Sequence, residues 1–335
     1  MSRFLGLTLL FLASCQNFDA GIDGAVSVDA AVPPASDLAM SHPDLSTIQV
    51  SKDMAVHKDA SVLNYDMMMS TDLSGGDLAT LPGGPGNDHC ATATQLVLTQ
   101  MRMDLPVNTT NALHDLTSCS GTSGADVFFT FTLNERELVY ADTFGATWDT
   151  SLFFASSCST PLTVSTTTGD SICNDDACGT SQSQIMAVLN AGKYYLVVSG
   201  KGSGTATVHL EHAPVGRGPL AQLAQGVSTQ TGTTTGLGAM FHCMGAGAEN
   251  SYWWATCPSG TGGTFTASAC GGVTWDSVLY IQIPRSNSEV CNDDACGVQS
   301  VIGATIPAGA GMQVFTVDGA TGGSRGAYSI AISRP

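Results

Sequence analysis

The densest oxygen donors in the chain form two matched sets. Asp149 stands upstream of Asn174, Asp175 and Asp176, and Asp276 stands upstream of Asn292, Asp293 and Asp294. If each set meets at one loop end, it offers the carboxylate and amide oxygens that calcium gathers in groups of six to eight. Calcium is therefore the cofactor to test here. The competing role is structural: Asn and Asp bond their own backbone in Asx-turns, and the dedicated D-x-D-x-D-G spacing is missing, so the structural role is preferred. Other chemistry finds less support. Gly322-Gly323-Ser324-Arg325-Gly326 spells a nucleophile elbow, but only nine residues follow, and none is Asp, Glu or His. A strand, not a helix, is expected after it, so it reads as a Gly-rich turn. His209-Leu210-Glu211-His212 places His209 and Glu211 on one face of a strand and is expected to be a solvated strand end. H-E-x-x-H, G-x-x-x-x-G-K-[ST] and G-x-G-x-x-G are absent, and no catalytic residue is assigned.

Trp253 and Trp254 are adjacent, so in a strand they face opposite sides. One of them is a candidate for stacking on a sugar or protein partner, although core packing is the simpler role. Ten cysteines follow Cys15, an even number that implies disulfides in an exported chain. Cys173 with Cys178, and Cys291 with Cys296, each bracket an Asn-Asp-Asp turn and are expected to pair locally. Cys90 with Cys119 is the natural third pair and leaves Cys158; the alternative pairs Cys158 with Cys173 and displaces Cys178. Cys243, Cys257 and Cys270 leave one over. Each half then carries five cysteines, so either one bridge crosses between halves or each half keeps a free thiol. Zinc is disfavoured, because paired C-x₂-C spacing is missing.

An internal repeat positions these residues. Trp148-Asp149-Thr150-Ser151-Leu152-Phe153 recurs as Trp275-Asp276-Ser277-Val278-Leu279-Tyr280, offset by 127. Cys173-Asn174-Asp175-Asp176-Ala177-Cys178-Gly179 recurs identically from Cys291, offset by 118. Ala191-Gly192 and Ala308-Gly309 extend the match at an offset of 117. Two modules follow, at 87–213 and 222–335. In the first, strands are expected at 127–133, 138–143, 151–155, 184–189, 194–199 and 205–211. In the second they are expected at 251–256, 263–267, 278–283, 300–305, 313–317 and 328–333. These runs are rich in Thr, Val, Tyr and Phe, and Gly-rich turns separate them. Residues 91–98 are the one place where a helical turn or two is expected. The fold class is all-β: two tandem antiparallel β-sandwich modules, jelly-roll-like, after a disordered N-terminal stalk.

The second half of each module resembles the bacterial pre-peptidase C-terminal domain. Its Asp-Thr-x-Leu strand matches Asp149 to Leu152, its Asn-Asp-Asp turn Asn174 to Asp176, and its Gly-x-Tyr-Tyr-x-Val-Val strand Gly192 to Val198. The closing Gly-x-Tyr-x-Leu resembles Gly326 to Ile330. The second module departs with Met312-Gln313-Val314-Phe315, where the family has a Tyr pair. The resemblance implies a sandwich without catalytic residues, appended to exported proteins to aid secretion, folding or attachment.

The N-terminus indicates where these modules reside. Residues 1–15 combine Arg3, a short apolar run and Leu12-Ala13-Ser14-Cys15. The run is too short to span a bilayer and reads as a signal peptide. Its end resembles the lipobox of bacterial lipoproteins, which makes Cys15 the lipidated residue and Gln16 an outer-membrane sorting signal. Residues 16–86 carry ten Asp against two Lys with no sustained apolar period, and they end in Pro82-Gly83-Gly84-Pro85-Gly86. Such a segment stays disordered and extended, as a spacer. Its irregular Asp-Leu-Ala repeats resemble linkers of myxobacterial lipoproteins. The chain holds 28 acidic and 11 basic residues, a net charge of −17, which excludes nucleic acid as a partner. The expected protein is a non-catalytic lipoprotein of the outer membrane or cell surface. Its partners are the membrane, through the anchor, and a polysaccharide or extracellular protein. A structural envelope accessory is the alternative, and a hydrolase with an unrecognised site is the third.

Overall fold

Alternating side chains build this fold. In the strand Val127–Leu133, the residues Val127, Phe129, Phe131 and Leu133 all point into one core, the period-two pattern of a strand packed on a facing sheet. The computed structural model describes residues 84–335, apart from 119, 120, 122, 163–171, 237 and 239–241. The signal peptide, Cys15, residues 16–83 of the acidic spacer and Cys119 lie outside the described residues.

The first half forms β1 (Thr94–Gln95), β2 (Arg102–Asn108), β3 (Val127–Leu133), β4 (Glu137–Asp142), β5 (Thr150–Ser157), β6 (Thr160–Pro161), β7 (Cys173–Asn174), β8 (Gln184–Leu189), β9 (Gly192–Gly200) and β10 (Thr205–Pro214). The second half forms β11 (Leu220–Gln222), β12 (Gly226–Thr233), β13 (Asn250–Thr256), β14 (Gly263–Ser268), β15 (Ser277–Ile283), β16 (Ser288–Asn292), β17 (Val301–Ile306), β18 (Gly311–Gly319) and β19 (Ala327–Arg334). Among the described residues the remaining regular structure is two short 3-10 turns, Cys90–Thr92 and Pro284–Ser286. The helical turns expected at 91–98 reduce to the first of these, followed at once by β1.

The strand orders reveal the duplication directly. The first half makes one sheet in the order β1-β3-β9-β5-β6, with β7 also on β5, and a second in the order β2-β10-β4-β8. The second half repeats this as β11-β13-β18-β15-β16 and β12-β19-β14-β17. In each half the first strand pairs parallel, β1 with β3 and β11 with β13, while the other described pairs are antiparallel. The structure corrects one alignment. β9 and β18 correspond from Gly192 and Gly311, both at positive φ. The Ala-Gly match at Gly309 arises because the turn before β18 is two residues longer.

Each half is a sandwich with its own core. Phe131, Leu152, Phe154, Leu196 and Leu210 fill the first, and Trp254, Phe265, Leu279, Phe315 and Ile330 fill the second. A third apolar cluster joins the two: Leu138, Tyr140, Met186, Ala213 and Val215 meet Trp253, Met312 and Val314. The outer face of the β2-β10-β4-β8 sheet therefore packs on the outer face of the β11-β13-β18-β15-β16 sheet, and the four sheets stack as layers. This explains why β4 and β18 are buried on both faces.

The disulfides correct the expected pairings. Cys90 bonds Cys158, Cys243 bonds Cys291, Cys270 bonds Cys296, and Cys178 bonds Cys257 across the seam. Cys173 is also disulfide-bonded, but not to Cys178. Neither Asn-Asp-Asp turn is therefore closed by its own flanking cysteines. Cys178 instead reaches Cys257, just past β13, and Cys291 and Cys296 reach Cys243 and Cys270 on neighbouring loops. Of the two options left open by five cysteines per half, the crossing bridge is the one observed. The tryptophans also differ from the candidate stacking role. Trp253 is 5% exposed and Trp254 1% exposed, the first in the seam and the second in the core. They do face opposite sides of β13, but the far side is covered by the other sandwich.

Candidate functional sites

The two acid sets sit at equivalent ends of β5 and β15. In the first sandwich the Lys201 N–H donates to the Asp149 carbonyl, and Thr150 N–H donates to Ser181. In the second, Ala320 N–H donates to the Asp276 carbonyl and Ser277 N–H to Val298. Trp148 Nε1 donates to the Thr205 carbonyl at 3.3 Å, and Trp275 Nε1 to the Ala327 carbonyl at 3.0 Å. The same bonds thus fix the aspartate in both copies, and they make Ala320 the counterpart of Lys201.

The side chains then diverge. Lys201 Nζ lies 3.2 Å from Asp149 Oδ2 and 3.4 Å from Asp175 Oδ2. In the second sandwich Asp276, Asp293 and Asp294 converge, with one oxygen from each within 4.8 Å of the others. Asp276 Oδ1 and Asp293 Oδ1 are shielded from solvent and lack a hydrogen-bond partner, as is Asp149 Oδ1. Burial, then the neighbouring Asp276 and Asp294, raise the Asp293 carboxyl above its usual range. The amides do something else. Asn174 Oδ1 accepts from Gln184 N–H and Asn292 Oδ1 from Val301 N–H, tying each turn to the next strand. Asp176 is not brought into a three-carboxylate group of this kind in the first sandwich.

A second polar cluster lies at the seam. Asp142 is fully buried; its Oδ2 accepts from Tyr140 Oη at 2.8 Å, and its Oδ1 lies 2.8 Å from His209 Nδ1. Glu211, also fully buried, receives Arg102 Nη1 at 2.9 Å and the Met312 N–H at 2.7 Å. Burial pushes the Glu211 carboxyl up to about 7, against the opposing pull of Met312 and Arg102. The expectation of a solvated strand end at His209–His212 is thus overturned, because the second sandwich covers this face of β10. Gln184 Nε2 bridges the halves, donating to Tyr140 Oη at 2.9 Å and to the Thr256 carbonyl at 3.1 Å. A cleft of about 410 Å³ opens along this edge, lined by Arg102, Phe144 and His209 on one side and Pro258 and Arg285 on the other.

Gly322–Gly326 is the turn between β18 and β19. Ser324 Oγ lies 2.9 Å from Thr321 Oγ1, and Arg325 Nη1 donates to the Gly236 carbonyl. Sequence reasoning missed Lys201, Ala320 and the seam. The first two were visible in principle: Ser199-Gly200-Lys201 aligns with Asp318-Gly319-Ala320 once the two-residue slip is corrected. The seam had only a faint trace, the apolar Met312 and Val314 on one face of β18 with Phe315 and Val317 on the other.

Among the described residues no helix is long and apolar enough to cross a membrane. The disulfides belong to an oxidising compartment. No family model matches the chain, and no curated protein matches it. Among solved structures, the CUB1-EGF-CUB2 domains of rat MASP-1 align with 71% of this chain and 99% of that one, at 10% identity and a TM-score of 0.19. The same domains of human MASP-1/3 cover 70% and 100%, at 7% identity and 0.21. A Paenibacillus xanthan lyase aligns with 71% of this chain and 25% of its own, at 13% identity and 0.19. Scores this low assign the chain neither a family nor an activity.

Proposed function

We propose that this chain is a non-catalytic, lipid-anchored display protein of the bacterial outer membrane or cell surface. Its two sandwiches act as one rigid binding head, held off the membrane by the acidic spacer. The observation that carries this reading is the seam: a buried apolar cluster, a buried Glu211–Met312 bond and the Cys178–Cys257 bridge lock the halves together. Linked but independent modules would not need such a lock. The seam cleft is the candidate contact, since it joins an aromatic wall at Phe144 to planar guanidinium groups at Arg102 and Arg285. Aromatic faces and guanidinium forks suit the apolar faces and hydroxyls or carboxylates of a polysaccharide. A pre-peptidase-like origin of the sandwiches agrees with a non-catalytic role.

The test is binding of the purified full chain to immobilised envelope polysaccharides and extracellular proteins. Polysaccharide should be retained, and Phe144→Ala and Arg285→Ala should each weaken retention about tenfold. Retention unchanged in both variants removes the cleft from the reading. Turnover of a glycan or peptide by the wild-type chain, lost in Asp142→Asn, would instead make it a hydrolase.

A further inference from the structure

The seam cleft is basic in an acidic chain. Its walls hold Arg102, Arg285 and His209, and among the described residues no Asp or Glu lines it, although the chain carries 28 acidic residues against 11 basic ones. The two guanidinium groups are not equivalent. Arg102 is engaged by the protein's own acids, with Nε 2.9 Å from Asp104 Oδ1 and Nη1 2.9 Å from Glu211 Oε1. Among the described residues Arg285 faces no carboxylate; its Nη1 donates to the Ala310 carbonyl at 2.7 Å. One positive charge therefore stands in the cleft without an acid to balance it.

Both halves hold Arg285 in place. It lies in the 3-10 turn Pro284–Ser286 after β15, where Pro284 is buried. Asn287, which ends that turn at a φ of 48°, accepts the Met101 N–H on Oδ1 at 2.9 Å, so the turn is tied to the first sandwich just before β2. Gly309 leaves room for the guanidinium, because a Cβ there would run into Nη1. The matching turn of the first sandwich, Ser157-Cys158-Ser159-Thr160, has no Arg, so this residue belongs to the joined pair and not to the duplicated module. On the opposite wall, Asp142 Oδ1 accepts the Phe144 N–H at 3.0 Å and lies 2.8 Å from His209 Nδ1. One buried acid thus positions an aromatic face and an imidazole whose Nε2 is left for a ligand. Groups held in this way lose little freedom on binding.

We propose that the cleft takes an acidic polysaccharide, with a uronic-acid carboxylate on the Arg285 guanidinium, a sugar face on Phe144 and a sugar hydroxyl on His209 Nε2. The proposal rests on the cleft reading above and narrows its ligand. A guanidinium fork meets a carboxylate in two parallel charge-assisted bonds, which a neutral sugar does not offer. A volume of about 410 Å³ is at the small end for ligand pockets, so it takes a short stretch of a glycan chain. The net charge of −17 does not oppose this. Residues 16–86 hold ten Asp and two Lys, so eight of those negative charges lie outside the two sandwiches. Salt screens exposed charges beyond about 8 Å at physiological ionic strength, which leaves the contacts inside the cleft to decide.

The test compares binding of the full chain to polygalacturonate and to the same polymer after carboxyl reduction, with dextran sulfate as a third probe. Polygalacturonate should bind at least tenfold more tightly than either of the others. Arg285→Gln should bring it down to the level of the reduced polymer. Arg285→Lys should recover only part of the difference, because the charge returns without the fork. Phe144→Ala should weaken polygalacturonate and its reduced form alike and leave their ratio unchanged. The variants should melt with the wild type, and if Arg285→Gln melts early, the ratio of the two polymers in Arg285→Lys carries the same test. Equal binding of both polymers by the wild-type chain would overturn the proposal while leaving the wider polysaccharide reading in place, and binding of neither would overturn both. Dextran sulfate held as tightly as polygalacturonate, or a preference that survives Arg285→Gln, would also overturn it.

Discussion

The Met312 N–H of β18 donates to Glu211 Oε2 of β10 at 2.7 Å, so a central strand of the second sandwich is hydrogen-bonded to a buried acid of the first. Arg102 faces the same carboxylate, and Asp142 lies near enough to raise it. Burial dominates, and the folded-state value of about 7 stands above the ordinary 4.5. The folded chain then holds this proton more tightly than the unfolded chain does. The contribution is fully present below about pH 4.5 and is lost as pH rises through about 7. Asp318, raised to about 7, and Asp126, raised to about 6, act in the same direction, again through burial. Thermal melts should therefore show higher stability at pH 5 than at pH 8. Glu211 alone contributes at most about 3 kcal/mol of that difference, and Glu211→Gln should flatten the profile. A melting temperature that rises from pH 5 to pH 8 would contradict this account.

The crossing bridge gives a covalent prediction. Non-reducing peptide mapping should link Cys178 to Cys257, Cys90 to Cys158, Cys243 to Cys291 and Cys270 to Cys296. Cys178→Ser should cost up to about 4.5 kcal/mol in the chain-entropy limit for a loop of this length. The measured loss should be smaller, because the packed seam already restrains the halves. A peptide joining Cys173 to Cys178 would refute the crossed pattern.

Trp253 tests the seam by packing alone. It is buried against the first sandwich, whereas Trp254 is buried within the second. Trp253→Ala should cost about 3–5 kcal/mol, as for other buried aromatics. It should do so by separating the halves, which increased proteolysis near Pro214–Pro219 would report. Trp254→Ala should unfold the second sandwich instead. The second half expressed alone exposes Trp253, Met312 and Val314, so it should self-associate. A monodisperse, fully stable second half would show that the seam is dispensable.

The legible part of this fold was the part with period-two apolar patterning. The strands now numbered β3, β4, β5, β8, β9 and β10 were expected, as were their counterparts in the second half. β2 and β12 were not. Pro106 interrupts β2, which an edge strand tolerates because one side of it needs no donors. β12 reads Gly-Val-Ser-Thr-Gln-Thr-Gly-Thr, too polar to show an apolar face. The duplicated Asp-bearing turns were legible through sequence identity, but the fate of their charges was not. That depended on Lys201 and Ala320, which lie on a neighbouring loop. The disulfide partners were illegible for a related reason: proximity in sequence favoured local loops, while the sandwich brings distant loops together.

The indole beside each aspartate also rests on a glycine. A Cβ on Gly204 would stand 2.8 Å from Trp148 Cδ1, and one on Gly326 would stand 3.0 Å from Trp275 Cδ1. Both substitutions must push the ring away from the strand carbonyl to which it donates. Gly204→Ala should therefore cost about 1–3 kcal/mol in urea denaturation, the range for an overpacked site. Gly326 adds a backbone φ of +152°, which an L side chain rarely adopts, so Gly326→Ala should cost more than Gly204→Ala. Equal losses of stability at the two glycines would mean that the ring contact, not the backbone, sets the penalty.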